Sequence, residues 1–212
     1  MKLLVTAGPT REPIDDVRYI SNASSGKLGF ALCEAARERG HEVTLVLGTV
    51  EAAPPAGVTV VRVETTADLE AACQRFFPSH DALVMAAAPA DFRVANRVAG
   101  KISKEAGKGV TLELVQNADV VAGLGRSKRE GQRILGFALE SGPGGEDRAR
   151  AKLARKNLDA IALNGPSTLG SDRASVTLIR KDGSTRALDD LSKLDLAREL
   201  VKELEALMKL GS

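Results

Sequence analysis

Short apolar runs alternate with longer amphipathic stretches along the chain, and most are closed by glycine, proline or small polar residues. Residues 2–6 read as a buried strand. After a long polar loop comes a helix over 26–39, with Leu28, Leu32, Ala35 and Ala36 on one face and Gly40 as its stop. Residues 43–47 and 58–63 are predicted as the second and third strands. A helix over 66–76 opens at Thr65 or Thr66, and its first turn carries Asp68 and Glu70, where carboxylates oppose the positive helix end. Residues 82–87, 134–138 and 159–163 read as further strands. Between the last two lie a turn with Gly142, Gly144 and Gly145 and a basic helix over 146–156. Residues 175–180 and 184–187 read as a hairpin about Asp182-Gly183. Leu194, Ala197, Val201, Leu204 and Met208 mark an amphipathic helix over 190–210, with Gly211-Ser212 behind it.

Strands that alternate with helices predict an α/β fold: Rossmann-like, doubly wound, with a mostly parallel sheet and a C-terminal hairpin and helix. No linker or repeat divides the chain, so its 212 residues are read as one domain. Residues 88–111 are the exception to the pattern. They lack an apolar period and carry Gly100, Gly107, Gly109 and three lysines, which predicts a flexible lid over about 93–110.

Composition narrows the classes. At 43% apolar the chain can bury a core, and a net charge of +2 does not suit a protein that coats nucleic acid. Trp is absent and aromatics are scarce, which weakens any base-stacking role. Cys33 and Cys73 have no metal spacing and read as buried small apolar residues in a reducing compartment. No run approaches the roughly 20 apolar residues of a membrane span. The N-terminus enters Leu3-Leu4-Val5 without room for a signal peptide. A cytoplasmic protein without nucleic-acid or membrane partners is expected.

Ligands of doubly wound sheets sit at the carboxyl ends of the strands, and loops 7–25, 88–109 and 139–145 leave such ends. The first loop fails the dinucleotide fingerprint. Gly8 is followed by Pro9-Thr10 with no second close glycine, and Leu47-Gly48-Thr49 stands where an acid would hold a ribose. It also fails the Walker pattern, because Ser21 and Leu28 occupy the glycine and hydroxyl positions around Gly26-Lys27. It still has the makings of an anion site: Ser24 and Ser25 supply hydroxyls, Gly26 admits a ligand, and a helix start supplies free N–H groups. The bland alternative for Ser-Ser-Gly is an ordinary N-cap. After the fourth predicted strand, the small residues of Ala86-Ala-Ala-Pro-Ala-Asp91 let a flat ring lie on backbone. Asp91 could then bind a ribose hydroxyl, a base amino group or a metal, or merely cap a turn. Lys101 and Lys104 suit a lid that carries positive charge to a phosphate, or a solvated surface. Lys152 and Lys156, one helical turn apart, could face a phosphate together or face solvent.

Six segments stand in the order and spacing of one family. They are Gly8-Pro-Thr-Arg-Glu-Pro-Ile-Asp-Asp-Val-Arg-Tyr-Ile-Ser-Asn-Ala-Ser-Ser-Gly-Lys27, Ala86-Ala-Ala-Pro-Ala-Asp-Phe92 with its leading Met85, Lys101-Ile-Ser-Lys104, Asn117-Ala-Asp-Val120, Gly136-Phe-Ala-Leu-Glu140 and Lys152-Leu-Ala-Arg-Lys-Asn-Leu-Asp159. Nearly the whole chain thereby resembles the phosphopantothenate–cysteine ligase family. The resemblance implies a Rossmann-like homodimer acting in coenzyme A biosynthesis. In that reaction a nucleoside triphosphate, CTP more than ATP, activates the carboxylate of 4'-phosphopantothenate with Mg²⁺ and releases pyrophosphate. L-Cysteine then attacks the acyl-nucleotide through its amine. In many bacteria a flavin-dependent decarboxylase is fused ahead of the ligase; here it would be a separate partner or a part not included.

By resemblance, Asn22 is the asparagine that acts on the acyl intermediate, and Lys101 is the lid lysine that steadies charge during activation. Met85, Ala86, Ala87, Asp91, Ala118, Asp119, Val120, Val121, Phe137, Lys152 and Lys156 match the nucleotide site. Gly8, Thr10, Arg18, Ser24, Ser25, Gly26 and Lys104 fall to phosphate and substrate binding, and the first loop also shapes the dimer interface. No metal ligands are assigned. The chain departs from the family at Ala23, often histidine, at Ser103, often lysine, at Pro89, often valine, and at Ala118, often proline. Two other readings compete. A nicotinamide-dependent reductase of the short-chain type needs a Tyr-x-x-x-Lys pair, but Tyr19 is the only tyrosine and Ala23 follows it at that spacing. A non-catalytic nucleotide-binding relative would bind nucleotide without releasing pyrophosphate.

Overall fold

The central strand β1 (Lys2–Ala7) pairs in parallel with β4 (Glu42–Leu47) on one side and β6 (Ala82–Met85) on the other. Both of its faces are covered, which is why it reads as a continuous apolar run. Leu3, Val5 and Ala7 enter one core layer and Leu4 the other. The computed structural model describes residues 1–104, 109–140, 142–165 and 171–209. Among them one eight-stranded sheet runs in the order β12-β11-β10-β9-β6-β1-β4-β5. Strands β5 (Thr59–Arg62), β9 (Arg133–Leu139) and β10 (Ala160–Asn164) extend the parallel part. Strands β11 (Arg173–Arg180) and β12 (Thr185–Ser192) add an antiparallel hairpin at one edge.

Helices α1 (Lys27–Glu38) and α5 (Lys193–Lys209) cover one face, and α2 (Thr66–Phe76), α3 (Val120–Ser127) and α4 (Gly145–Arg155) cover the other. Leu196, Leu200 and Leu204 of α5 are fully buried, and each such leucine contributes about 1.5–3 kcal/mol. Arg39 and His41 grip Glu205 at 2.7 and 2.8 Å, and Arg198 grips Glu38 at 2.8 Å, so ion pairs tie α5 to the α1 end of the molecule. Cys33 and Cys73 are buried, and burial pushes both thiols up to about 12. No helix of the described residues is long and apolar enough to cross a membrane.

The predicted α/β class and every predicted strand and helix are present. The differences lie in loops and at ends. The first loop holds a small hairpin, β2 (Arg11–Pro13) with β3 (Tyr19–Ser21). The 88–111 stretch, read as irregular, contains β7 (Phe92–Val94), which pairs with β8 (Leu114–Gln116). Three-residue strands are too short to show a period. Residues 105–108 of the expected lid, with Gly107, lie outside the described residues. Helix α3, absent from the sequence reading, begins within the 118–121 segment and is capped by the Asp119 side chain, which accepts from Ala122 N at 3.2 Å. Residues 190–192 belong to β12, not to the last helix.

Helix α1 lies so close to β1 that a Cβ on Gly29 would sit 2.3 Å from Ala7 Cβ. Gly29→Ala is expected to cost roughly 1–3 kcal/mol by overpacking, read as a lowered Tm; an unchanged Tm would show that α1 can lift off. Glu205 is held at about 2 by its hydrogen bond to Arg39, against the opposing pull of burial and with help from His41. A depressed carboxylate contributes stability that is complete above its ordinary value near 4.5 and lost as pH falls toward 2. Glu205→Gln should therefore flatten the fall in Tm between those pH values. An unaltered acid slope would remove Glu205 from that role.

Candidate active site

The first loop leaves β1 at Gly8 and returns to within contact of it at Gly26. Both glycines have positive φ, 77° and 73°, and a Cβ on either would meet Val50 Cγ1, at 2.8 and 3.0 Å. Between them the hairpin is clamped to the body of the domain. Arg11 N donates to Glu64 O at 2.7 Å, and the buried Glu12 carboxylate accepts from Thr66 N at 2.8 Å. The loop end therefore arrives at α1 in a fixed place.

Neither Ser24 nor Ser25 caps α1, because Gly26 occupies the N-cap position in a left-handed conformation with no side-chain hydrogen bond. The ordinary-cap reading of Ser-Ser-Gly thus fails. Lys27, Leu28 and Gly29, whose first-turn amides helix geometry leaves unbonded, line a cleft of about 600 Å³. Asn22, Ser24, Ser25 and Gly26 line the same cleft, with Ala86, Ala87, Asp91, Phe137 and Lys152 across it. A hollow of about 200 Å³ adjoins it and shares Ala87, Pro89, Asp91, Phe137 and Lys152. Met85, Ala118, Asp119, Val120, Val121 and Lys156 line that hollow. All the residues matched to the nucleotide site are therefore brought together.

The Asn22 amide donates to Pro89 O at 2.8 Å and to Ala88 O at a weak 3.4 Å. The bond to Pro89 O orients the amide, and the contact to Ala88 O is too long to hold it as strongly. Lys152 and Lys156 do not stand as a bare pair. Lys152 bonds Glu140 at 2.6 Å, and Lys156 bonds Asp119 at 3.0 Å. Hydrogen bonds from Arg148 and then Lys152 hold the Glu140 carboxyl below its ordinary range.

Other expected ligand residues lie elsewhere. Arg18, Lys101 and Lys104 line a separate hollow of about 910 Å³ that shares no residue with the cleft. The base of the predicted lid is pinned there. Gly100 N and Arg97 bond Asp16, both at 2.9 Å, Ile102 N bonds Asp15 at 3.1 Å, and Arg18 donates to Ile102 O at 2.8 Å. Burial opposes ionisation of Asp15, but backbone N–H groups of Val17, Ile102 and Arg18 outweigh it and keep the carboxyl below its usual range.

Gly8 and Thr10 line neither cavity, and both are buried. Thr10, expected to contact substrate, works inside the wall instead. Its Oγ1 accepts from Ala90 N at 2.8 Å and shares a 3.0 Å hydrogen bond with Thr66 Oγ1. It thereby fixes the turn that presents Asp91. Sequence reasoning passed over Lys27, Lys193 and Leu196, which line the far end of the cleft. The one signal for Lys193 was Ser192-Lys-Leu-Asp195, a capping pattern at a helix start. Among the described residues no three His, Cys, Asp or Glu side chains cluster to hold a metal.

The family model that matches this chain is that of the DNA/pantothenate metabolism flavoprotein C-terminal domain, over residues 1–208. The chain belongs to this family. It is 41% identical to the coenzyme A biosynthesis bifunctional protein CoaBC of Mycolicibacterium smegmatis, over 99% of this chain and 53% of that protein. The CoaBC of Bacillus subtilis is also 41% identical, over 98% of this chain and 52% of its own length. The chain thus spans about half the length of these relatives. The crystal structure of a CoaBC C-terminal domain superposes with a TM-score of 0.85 at 36% identity, covering 98% of this chain and 95% of that one. A Cab2 mutant in complex with phosphopantothenate-cysteine superposes with a TM-score of 0.82, over 98% of this chain and 86% of that one; at 16% identity the likeness is one of fold.

Removing the Thr10 hydroxyl leaves a buried backbone donor, Ala90 N, without its acceptor, at a cost of about 1–3 kcal/mol. Thr10→Val should lower Tm accordingly, and Thr10→Ser should restore most of it. A loss of ligand affinity with no loss of stability would return Thr10 to the ligand-binding set.

Proposed function

We propose that this domain is the ligase that joins 4'-phosphopantothenate to L-cysteine, with CTP favoured over ATP as the activating nucleotide, in coenzyme A biosynthesis. The observation that carries the reading is the single cleft in which Asn22, the uncapped α1 start and the Asp91–Phe137–Lys152 wall face one another. The family and the CoaBC relatives support it.

The chemistry has two steps. A phosphopantothenate carboxylate oxygen attacks the α-phosphorus, the bond from that phosphorus to the bridging oxygen breaks, and pyrophosphate leaves with the electron pair. The cysteine amine then attacks the acyl carbon, the acyl–oxygen bond breaks, the amine loses a proton, and the nucleoside monophosphate departs. In this reading the α1 amides with Ser24 and Ser25 take phosphate oxygens, and preorganised donors of this kind favour the charge that develops in each step. The hollow lined by Met85, Ala118, Asp119 and Val120 takes the base, with Asp91 at the sugar. The Asn22 amide, oriented by Pro89 O, steadies the acyl oxygen. Mg²⁺ would arrive on the nucleotide phosphates, since such ions are commonly held by substrate phosphate with one or two carboxylates. No step is assigned to a protein-held metal.

Lys101 and Arg18 belong to the separate hollow, so their part in catalysis requires either movement of the lid segment or a second copy of the chain. A homodimer suits the exposed apolar residues of the two small hairpins. Val17 is 61% exposed, Tyr19 47%, Phe92 50% and Leu114 46%, a grouping that water does not favour and a second protomer would cover. The same reading places the reaction in the cytoplasm.

Pyrophosphate should appear only when nucleoside triphosphate and phosphopantothenate are both supplied with Mg²⁺, and CTP should lead when the four nucleotides are compared in parallel. Nucleotide binding without pyrophosphate release would favour a non-catalytic relative. Asn22→Ala should still release pyrophosphate but lose product amide by about 100-fold, the scale of an oxyanion donor. Undiminished amide formation would take Asn22 out of the mechanism.

A further inference from the structure

Two lysines at the far end of the cleft stand where helix electrostatics disfavours them. Lys27 is the first residue of α1 and Lys193 the first residue of α5. The start of a helix carries partial positive charge and prefers anions. The first residues of two helices, both lysines, therefore line one cavity.

Local sequence holds Lys193 in this place. Ser192 Oγ accepts from Asp195 N at 3.1 Å and bonds Asp195 Oδ2 at 2.6 Å, which seals the α5 start. Lys193 N donates to Asp172 O at 3.1 Å. The Asp172 carboxylate bonds the Lys27 ammonium at 2.6 Å, but it is largely exposed, and Lys193 has no ion pair among the described residues. Burial first, and then the neighbouring Lys27 charge, push the Lys193 ammonium below its ordinary value, against the opposing pull of Asp172. A half-buried cation beside another cation is unfavourable without a compensating anion. Asp172, itself exposed, is the carboxylate that stands beside both lysines.

We propose that Lys193, with Lys27 beside it, is the group that receives the terminal phosphates of the nucleoside triphosphate and then the departing pyrophosphate. The inference rests on the ligase reading for its place in the reaction, since the base and sugar are assigned to the Asp91–Asp119 end and the terminal phosphates must lie away from it. A multiply charged anion suits the cluster better than a single carboxylate, because it can be shared by both ammonium groups and the α1 amides. As the bond to the α-phosphorus breaks, one more negative charge gathers on the pyrophosphate, and the Lys193 ammonium is placed to take it up. No proton need move in that step.

The alternative is that the Lys193 stem merely covers apolar surface next to Leu196. Lys193→Met keeps an apolar stem and removes the charge, and Lys193→Arg keeps the charge. The test is calorimetric titration of inorganic pyrophosphate with Mg²⁺, and separately of CMP, into the full chain. Lys193→Met is expected to weaken pyrophosphate at least about tenfold, as for loss of a charged hydrogen bond, with CMP changed less than about twofold and Tm retained. Lys193→Arg is expected to stay within about threefold of the parent for pyrophosphate. Pyrophosphate affinity untouched in Lys193→Met, or an equal loss for CMP, would overturn the inference. The ligase reading fails separately: a chain that binds pyrophosphate through Lys193 but releases none from CTP and phosphopantothenate keeps the anion site and loses the reaction.

Discussion

Three backbone segments meet at Gly8, Gly26 and Gly48 with no room for a side chain. A Cβ on Gly48 would lie 2.2 Å from Pro9 O, and one on Gly26 would lie 3.5 Å from Gly8 N. This contact brings the end of β1, the start of α1 and the end of β4 to one point, although the loop between Gly8 and Gly26 makes a hairpin on the way. Everything in the cleft is referred to it. The start of α1 lies where it does because Gly26 is seated on Gly8. Asn22 reaches Pro89 O because the same loop bridges Pro9 to Ala88. The packing also leaves no room for a side chain at position 48, in the segment where the dinucleotide fold carries a ribose-binding acid, because a Cβ there would lie 2.2 Å from Pro9 O.

A second layer fixes the opposite wall. The Thr10–Thr66 hydroxyl pair and the Ala90 amide join the first loop, the α2 start and the turn after β6 in one buried network. Asn117 closes it from the other side, with its side chain on Ala90 O at 2.9 Å and its N–H on Asp91 O at 2.8 Å. The cleft is therefore lined by loops but held by buried hydrogen bonds, which suits a site that must hold its geometry while ligands exchange.

Most of the sheet was legible because buried parallel strands are continuous apolar runs and the α1 and α5 faces repeat at helical spacing. The cleft residues were legible too, in Asn22, Asp91, Asp119 and Phe137, because the motifs that carry them are long. What escaped were features whose cause is long-range. Strands β2, β3, β7 and β8 exist because they pair with each other, and three residues carry no period. Thr10 looked like a ligand residue because it sits in a loop motif; its partner, Thr66, lies 56 positions away in sequence. Lys193 was not singled out, because its neighbour in space, Lys27, belongs to another helix. Ser192 and Asp195 announced a helix start, but nothing local says that the start faces a cavity.

The charges around the cleft form one more pattern that no single motif contains. Lys27, Lys152 and Lys156 are each engaged by a carboxylate, from Asp172, Glu140 and Asp119. A phosphate ligand therefore does not meet bare lysines. It exchanges with carboxylates already in place, and the net gain at each lysine is the difference between two ion pairs, one of them exposed to water. Such exchange limits the uncompensated positive charge at these three lysines, and it makes binding there weaker and more reversible than a count of lysines suggests. In the proposed reaction, which releases pyrophosphate and a nucleoside monophosphate in each cycle, the carboxylates returning to Lys27, Lys152 and Lys156 help to displace the products, and Lys193 is the cleft lysine that keeps no ion pair among the described residues.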